Sequence, residues 1–156
     1  MSAQIIADDI LKIAKRKGKN LTPMQLMKLV YVSYGWYLAM TNNKLFEDRI
    51  EAWKYGPVIP NLYHATKHFG SGEIPASMIS DAPISNSHLD IFLSSIVDNY
   101  ADYSGIALSN LTHRVGTPWQ AVYRPNVMGI EIPDHSIQQH YSQALNDRQE
   151  STAAAS

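Results

Sequence analysis

The second predicted helix, from Thr22 to about Thr41, constrains the fold most, because apolar side chains lie on nearly all of its sides. Its opening, Thr22-Pro23, has the residue types of an N-cap and a first helical position. At roughly 100° per residue, the helix shows two apolar stripes, and the remaining sector carries Lys28 as its single charge. A helix of this kind is normally buried on most sides. We therefore predict that it is the central element of the domain, with Gly35 and Ala39 permitting another backbone to come close.

Composition sets the class of protein. The 156 residues are 45% hydrophobic and 17% charged, as expected for one folded domain, and the net charge of −1 gives no field that would attract nucleic acid or acidic lipid. The absence of cysteine excludes disulfides and thiolate metal sites and fits a reducing compartment. No signal peptide is predicted, because Asp8, Asp9 and Lys12 interrupt the N-terminal apolar residues. No run reaches the roughly 18 apolar residues of a membrane span. We predict a cytoplasmic globular protein with one domain at 1–148 and a disordered tail at 149–156.

Helical spacing continues through most of the chain. Further helices are predicted at about 4–17, 60–69, 88–103 and 107–113, and others begin near 118 and 133. A β-hairpin is predicted between the two short strands Leu45-Phe46 and Ile50–Trp53. The following Gly56-Pro57 is predicted to interrupt any regular secondary structure. A loop is predicted from Gly70 to Ser87. The predicted fold is mainly α: a compact helical bundle around a central apolar helix, with one small β-hairpin.

Four short motifs carry a family resemblance. They are Gln25-Leu26-Met27-Lys28-Leu29-Val30-Tyr31, Gly35-Trp36-Tyr37-Leu38-Ala39, Glu51-Ala52-Trp53-Lys54-Tyr55-Gly56-Pro57-Val58, and Leu108-Ser109-Asn110-Leu111-Thr112-His113 followed by Pro118-Trp119. In this order they resemble the Panacea domain, the family of SocA-like antitoxins and phage-associated GepA-like proteins. The likeness covers about residues 4–125.

The resemblance implies a compact, mainly helical fold and a bacterial or phage origin. It implies that the chain neutralises a cognate toxin by direct protein–protein contact and, from SocA itself, that it delivers the toxin to a AAA+ protease. The family pairs with toxins of unrelated kinds, so the resemblance does not identify the toxin. It supplies no catalytic residues, and we expect no cofactor, no metal, no membrane partner and no nucleic-acid partner.

The candidate partner-binding residues are Trp53, Tyr55, Gly56, Pro57 and His113. The first four lie within five positions of a turn rather than at helical spacing, so they are not all expected to face one core. Large rigid aromatic side chains lose little entropy on docking and are enriched at binding hot spots. The alternative is that Trp53 fills the core while the next residues only fix the turn. For His113, the alternative is a helix end at which its side chain meets the last carbonyl groups.

Signals of catalysis or metal binding are weak. His64 and His68 have a zinc-binding spacing, but no third ligand follows at fixed spacing, so we favour surface histidines. For Asp98 and Asp102, which share a helix face, we favour a solvated face over acid–base catalysis. The sequence contains no G-x-S-x-G motif and no phosphate-binding loop.

A basic run closes the first helix. It consists of Lys12, Lys15, Arg16, Lys17 and Lys19. Binding to nucleic acid would also need aromatic stacking partners, which the first helix lacks. We favour a solvated end that suits the helix dipole, ahead of a contact with an acidic patch on a partner.

Two functions remain open. We favour a non-enzymatic antitoxin that covers the working surface of a toxin. The alternative is a phage or prophage accessory protein that binds a host factor with the same scaffold and has no cognate toxin.

Overall fold

The computed structural model describes residues 1–84 and 86–155, with side chains as far as residue 150. Within these residues the chain forms seven α-helices and one two-stranded antiparallel sheet, which confirms the predicted mainly α class. The helices are α1 (Ala3–Arg16), α2 (Pro23–Thr41), α3 (Pro60–Thr66), α4 (Ser87–Tyr100), α5 (Gly105–His113), α6 (Pro118–Val122) and α7 (Asp134–Ala155), and the strands are β1 (Glu51–Trp53) and β2 (Gly56–Val58).

The central helix α2 is buried as predicted. A capping box closes its first turn: Gln25 N–H donates to Thr22 Oγ1 at 3.2 Å, and Thr22 N–H donates to Gln25 Oε1 at 2.9 Å. Every residue from Leu26 to Trp36 is buried. The helix ends at Asn42, which adopts the left-handed conformation.

Gly35 makes room for the ring of Tyr141. A Cβ built on it would lie 2.2 Å from two ring carbons of Tyr141, on α7. An aromatic ring of α7 therefore occupies the space that a side chain at this position would fill. Close packing of α7 on α2 depends on the absence of that side chain.

The hairpin exists and β1 lies within the predicted strand Ile50–Trp53, but the predicted partner strand Leu45-Phe46 and the predicted turn were wrong. β1 pairs with β2 in the register Ala52 opposite Pro57, so the turn is Lys54-Tyr55. Gly56-Pro57 lies inside β2 instead of breaking regular structure. Proline is tolerated there because β2 is an edge strand, where a missing N–H breaks no ladder. The other edge of β1 is covered by residues 130–132, since Ala52 N–H donates to the Ile130 carbonyl at 2.8 Å.

The basic end of α1 is paired with acidic residues of the same chain. Ion pairs join Lys15 to Asp81 (2.9 Å), Arg16 to Asp90 (2.9 Å), Lys17 to Asp98 (2.9 Å) and Lys19 to Asp102 (2.5 Å). The solvated-end interpretation was therefore incomplete, and Asp98 and Asp102 serve as structural partners of lysines. Gly18, with φ +73°, directly follows the C-cap Lys17 of this helix, in a backbone conformation that glycine adopts without strain.

The remaining segments follow the predicted order. α3 is extended by a 3₁₀ turn at Lys67–Phe69, and the loop after it contains a second 3₁₀ turn at Ala76–Met78. Ser85, within this predicted loop, and Ser156, in the predicted tail, lie outside the described residues. The backbone of α7 is helical as far as Ala155, and disorder of the tail stays a prediction. None of the described helices combines the length and the apolar character needed to cross a membrane.

Candidate functional site

The hairpin is attached to three helices through its own carbonyl groups. Every second residue along it, from 53 to 57, accepts a hydrogen bond from a side chain of a different helix. The bonds run from Trp119 Nε1 on α6 to the Trp53 carbonyl (2.5 Å), from Ser109 Oγ on α5 to the Tyr55 carbonyl (2.5 Å), and from Lys28 Nζ on α2 to the Pro57 carbonyl (2.9 Å). We refer to these as the three anchoring bonds. They fix the hairpin on the bundle through groups that every amino acid provides.

Lys28 is a buried cation without an acidic partner among the described residues. Its side chain is 2% exposed, and its ammonium donates to the Pro57 carbonyl. Burial lowers the pKa of Lys28 to about 7, because an ammonium loses its hydration inside the protein. The amine therefore changes its charge near neutral pH while it remains beneath the hairpin.

Gly56 allows the hairpin to approach this amine. Its φ of +117° is a conformation that side-chain-bearing residues rarely adopt. A Cβ at this position would lie 3.0 Å from Lys28 Nζ and 3.2 Å from Thr112 Oγ1. Both the backbone conformation and the lack of space therefore require glycine.

Tyr55 is the exposed member of the predicted site. It is 60% exposed at the turn, and Lys54 Nζ lies 5.4 Å from the centroid of its ring. Its backbone is held by an anchoring bond, whereas its ring faces solvent. The structure thus combines a fixed main chain with an accessible aromatic side chain.

Trp53 extends the aromatic surface toward α3. Its half-buried ring packs edge-on against Tyr63, with centroids 4.9 Å apart, and its Nε1 donates to Glu51 Oε1 at 3.0 Å. Burial alone would raise the pKa of Glu51, but the hydrogen bonds from Trp53 and Arg49 outweigh it and lower the pKa. Glu51 is therefore charged at neutral pH and orients the indole. We call the group Trp53, Lys54, Tyr55 and Tyr63 the hairpin surface.

His113 faces the bundle more than the solvent. Its Nδ1 donates to the Ser109 carbonyl one turn earlier, and its ring packs edge-on against Trp119 at 5.2 Å. It is half-buried at the end of α5, as the helix-end alternative expects. Its position supports the hairpin from below.

The structure brings all five predicted residues together at the hairpin and the adjoining end of α5, with different degrees of burial. Tyr55 is exposed, Trp53 and His113 are half-buried, and Gly56 and Pro57 are buried. Their role in binding a partner stays a prediction. Sequence reasoning missed the donors of the three anchoring bonds, although Lys28, Ser109 and Trp119 all lie in the family motifs. The sequence did contain a signal for Lys28, because it is the single charged residue in an otherwise apolar helix.

Of the histidines considered for metal binding, His64 borders the hairpin surface, because its ring packs edge-on against that of Tyr63 at 5.6 Å. His64 lies on α3 and His68 in the following 3₁₀ turn, each beside a neighbouring aromatic ring. In residues 1–84 and 86–150, no three histidine, aspartate or glutamate side chains form a group able to hold a metal ion.

The fold and site define a mainly helical domain that presents an anchored hairpin from a buried central helix. The family described as antitoxin SocA-like, Panacea domain, matches residues 26–120, and the chain belongs to this family. The match includes the central helix, the hairpin and all three donors of the anchoring bonds. The resemblance seen in the motifs is therefore confirmed. Membership suggests an antitoxin role with a toxin as partner, and a regulator that is not catalytic.

One curated relative extends the likeness beyond this region. Antitoxin SocA of Caulobacter vibrioides (strain NA1000 / CB15N) is 24% identical over 155 residues, which covers 90% of this chain and 82% of the relative. No solved structure matches the chain.

Proposed function

We propose that this protein is an antitoxin that neutralises a cognate toxin by binding it directly through the hairpin surface. The observation that carries the proposal is the exposed ring of Tyr55 on a main chain held by helices α2, α5 and α6. Membership of the SocA-like antitoxin family supports a toxin as the partner.

The physical argument concerns conformational entropy. Binding normally orders flexible loops and side chains, which reduces the affinity. The three anchoring bonds fix the turn before a partner arrives, so this cost falls mainly on the side chains of Lys54 and Tyr55. Aromatic residues such as Tyr55 and Trp53 contribute large contact areas with few rotatable bonds. The hairpin surface therefore suits recognition of another protein.

The proposal includes the manner of neutralisation. We propose that the chain covers the working surface of the toxin without catalysis, in the cytoplasm where toxin and antitoxin meet. Nucleic acid is not part of the proposed function, because carboxylates of the same chain pair with Lys15, Arg16, Lys17 and Lys19. Delivery of the bound toxin to a AAA+ protease is a further proposed role, supported by the likeness to SocA alone.

The proposal is tested by coexpression with the product of a neighbouring reading frame. The wild-type chain should relieve growth arrest and form a stable complex in a pull-down. Tyr55→Ala should weaken the complex by about tenfold or more, the scale of a binding hot spot. Tyr103→Ala is the matched control, because Tyr103 is 53% exposed and precedes the opposite end of α5.

The possible outcomes separate the parts of the proposal. If coexpression relieves nothing and no complex forms, the antitoxin function is refuted, and a host factor becomes the partner to seek. If the complex forms but a folded Tyr55→Ala variant, checked by circular dichroism, binds as well as wild type, the hairpin surface is not the interface. Faster loss of the toxin in cells with the antitoxin than without it would support the protease role.

A further inference from the structure

A second site lies in the interior, beside α2 and α7. A partly open cavity of about 150 Å³ is lined by residues of α2, α4, α5, α6, α7 and the segment between α5 and α6. Its lining contains three tyrosines, an arginine and a histidine but no acidic residue. The lining residues are Tyr31, Val32, Trp36, Tyr100, Leu111, Thr112, Arg114, Thr117, Pro118, His140, Tyr141 and Ala144.

Tyr31 gives the first indication of a binding site. It is 1% exposed, and its hydroxyl is the one buried side-chain polar atom without a hydrogen-bond partner in the part of the chain with described side chains. Burying a hydroxyl without a partner costs free energy, so such groups normally bind protein atoms, water or a ligand. Tyr31 is one of the residues that line the cavity, which places its unpartnered hydroxyl group beside that space.

Two further phenol groups lie close to the first. The ring of Tyr141 packs edge-on against Tyr31, with centroids 6.3 Å apart. Trp36 Nε1 donates to the Tyr100 hydroxyl at 2.9 Å, which leaves the Tyr100 hydrogen free to be donated elsewhere. Burial raises the pKa of Tyr141, with smaller contributions from Tyr31 and Tyr100. Burial likewise raises the pKa of Tyr31, so the hydroxyls of Tyr31 and Tyr141 keep their protons at neutral pH and are available as donors.

The mouth of the cavity carries a positive charge. Arg114 is exposed, and within the described residues it forms no ion pair. The pKa of His140 is lowered mainly by burial and, to a smaller extent, by the positive charge of Arg114. A hydrogen bond with the Gly116 backbone acts in the opposite direction and raises it, but by less. No carboxylate contributes to the pKa shift of His140. The site thus offers hydrogen-bond donors and a cation in a space without negative charge.

We propose that this cavity binds a small oxyanion, either a free inorganic anion or the acidic group of a small organic molecule. Its oxygens would accept hydrogen bonds from Tyr31, Tyr100 and Tyr141, with Arg114 balancing the charge. An apolar cavity of about 150 Å³ accommodates a molecule as large as benzene. Here the apolar part of an organic ligand would contact Val32, Leu111 and Ala144. This inference does not depend on the antitoxin function.

Thermal unfolding of the intact chain tests the proposal, because a ligand that binds only the folded state raises Tm. Sodium phosphate and sodium benzoate are compared with sodium chloride at equal ionic strength. We expect at least one of the two anions to raise Tm above the chloride value. Stabilisation by phosphate alone would indicate a free anion, and stabilisation by benzoate would indicate an organic acid.

Amino-acid substitutions test whether the rise in Tm comes from anion binding in this cavity. Tyr31→Phe keeps the ring and removes the unpartnered hydroxyl, so the variant should fold and should lose about tenfold or more in affinity, the effect of one hydrogen bond to a charged group. Arg114→Ala should weaken binding similarly, whereas Arg124→Ala, a change outside the cavity lining, should leave it unchanged. The proposal is overturned if neither anion exceeds chloride, or if both cavity variants are stabilised as much as wild type.

Discussion

Lys28 Nζ donates a 2.9 Å hydrogen bond to the carbonyl oxygen of Pro57, joining the buried face of the central helix to the edge strand of the hairpin. The amine is 2% exposed, and the described residues supply no carboxylate to balance its charge. A single buried cation therefore connects the stability of the core to the position of the candidate binding surface. This connection makes the protein sensitive to pH in a predictable direction.

Stability should rise with pH in the mildly alkaline range. The pKa of Lys28 is about 7 in the folded chain and about 10.4 in an unfolded one, so between these values the unfolded state holds the proton that the folded state has lost. The free energy of unfolding should then increase by up to about 1.4 kcal/mol per pH unit. Denaturant unfolding at a series of pH values from neutral to mildly alkaline measures this slope.

The lysine responsible is identified by two substitutions. Lys28→Met removes the titrating group and should abolish the slope, whereas Lys67→Met, at an exposed position, should retain it. An unchanged slope in Lys28→Met would assign the pH dependence to another group.

Gly56→Ala should destabilise the fold more than an alanine at another glycine with positive φ. Gly18 is the matched control, because its φ is +73° and a Cβ there would meet nothing within 4 Å. Gly18→Ala should cost about 1–2 kcal/mol from backbone strain. Gly56→Ala should cost about 1–3 kcal/mol more, because its Cβ would be forced against Lys28 and Thr112. Equal losses in chemical denaturation would show that space beneath Gly56 is not limiting.

Gly35→Ala should destabilise the protein despite its position in a helix. Alanine is favoured over glycine in a helix interior by up to about 1 kcal/mol. The added Cβ, however, would lie 2.2 Å from ring carbons of Tyr141, and the displacement of α7 should cost about 3 kcal/mol or more. The double variant Gly35→Ala, Tyr141→Leu should lose less than the sum of the single changes. Strict additivity in a double-mutant cycle would contradict this contact.

Ser109→Ala should loosen the hairpin without changing its surface. The substitution removes the hydrogen bond to the Tyr55 carbonyl and should cost about 1 kcal/mol. Amide hydrogen exchange should accelerate at Lys54, Tyr55 and Gly56, and partner binding should weaken although Ser109 is buried. Unchanged exchange at these three amides would show that the other two anchoring bonds are sufficient.

The helices were predictable because their signals are local. Thr22-Pro23 and Thr117-Pro118 mark helix starts by residue type alone, and Gly18 marks a helix end. The continuous apolar surface of α2 likewise reports its burial without reference to any other segment. The mainly α class followed from these features.

The hairpin register was not predictable, because it depends on tertiary contacts. Leu45-Phe46 was the predicted partner of β1, because residue propensities favour it over Gly56-Pro57. The observed hairpin accepts hydrogen bonds from Lys28, Ser109 and Trp119, which lie far away in sequence. The acidic partners of the basic α1 end were hidden for the same reason, since they come mostly from α4 and its flanks.

The donors Lys28, Ser109 and Trp119 hold carbonyl oxygens, which are chemically identical at every position of a polypeptide. The residues at Lys54 and Tyr55 can therefore be exchanged without dismantling the attachment beneath them. The residues that support the turn are therefore different from the side chains that the turn exposes to a partner. New recognition preferences can then evolve at the tip through single substitutions, at little risk to folding.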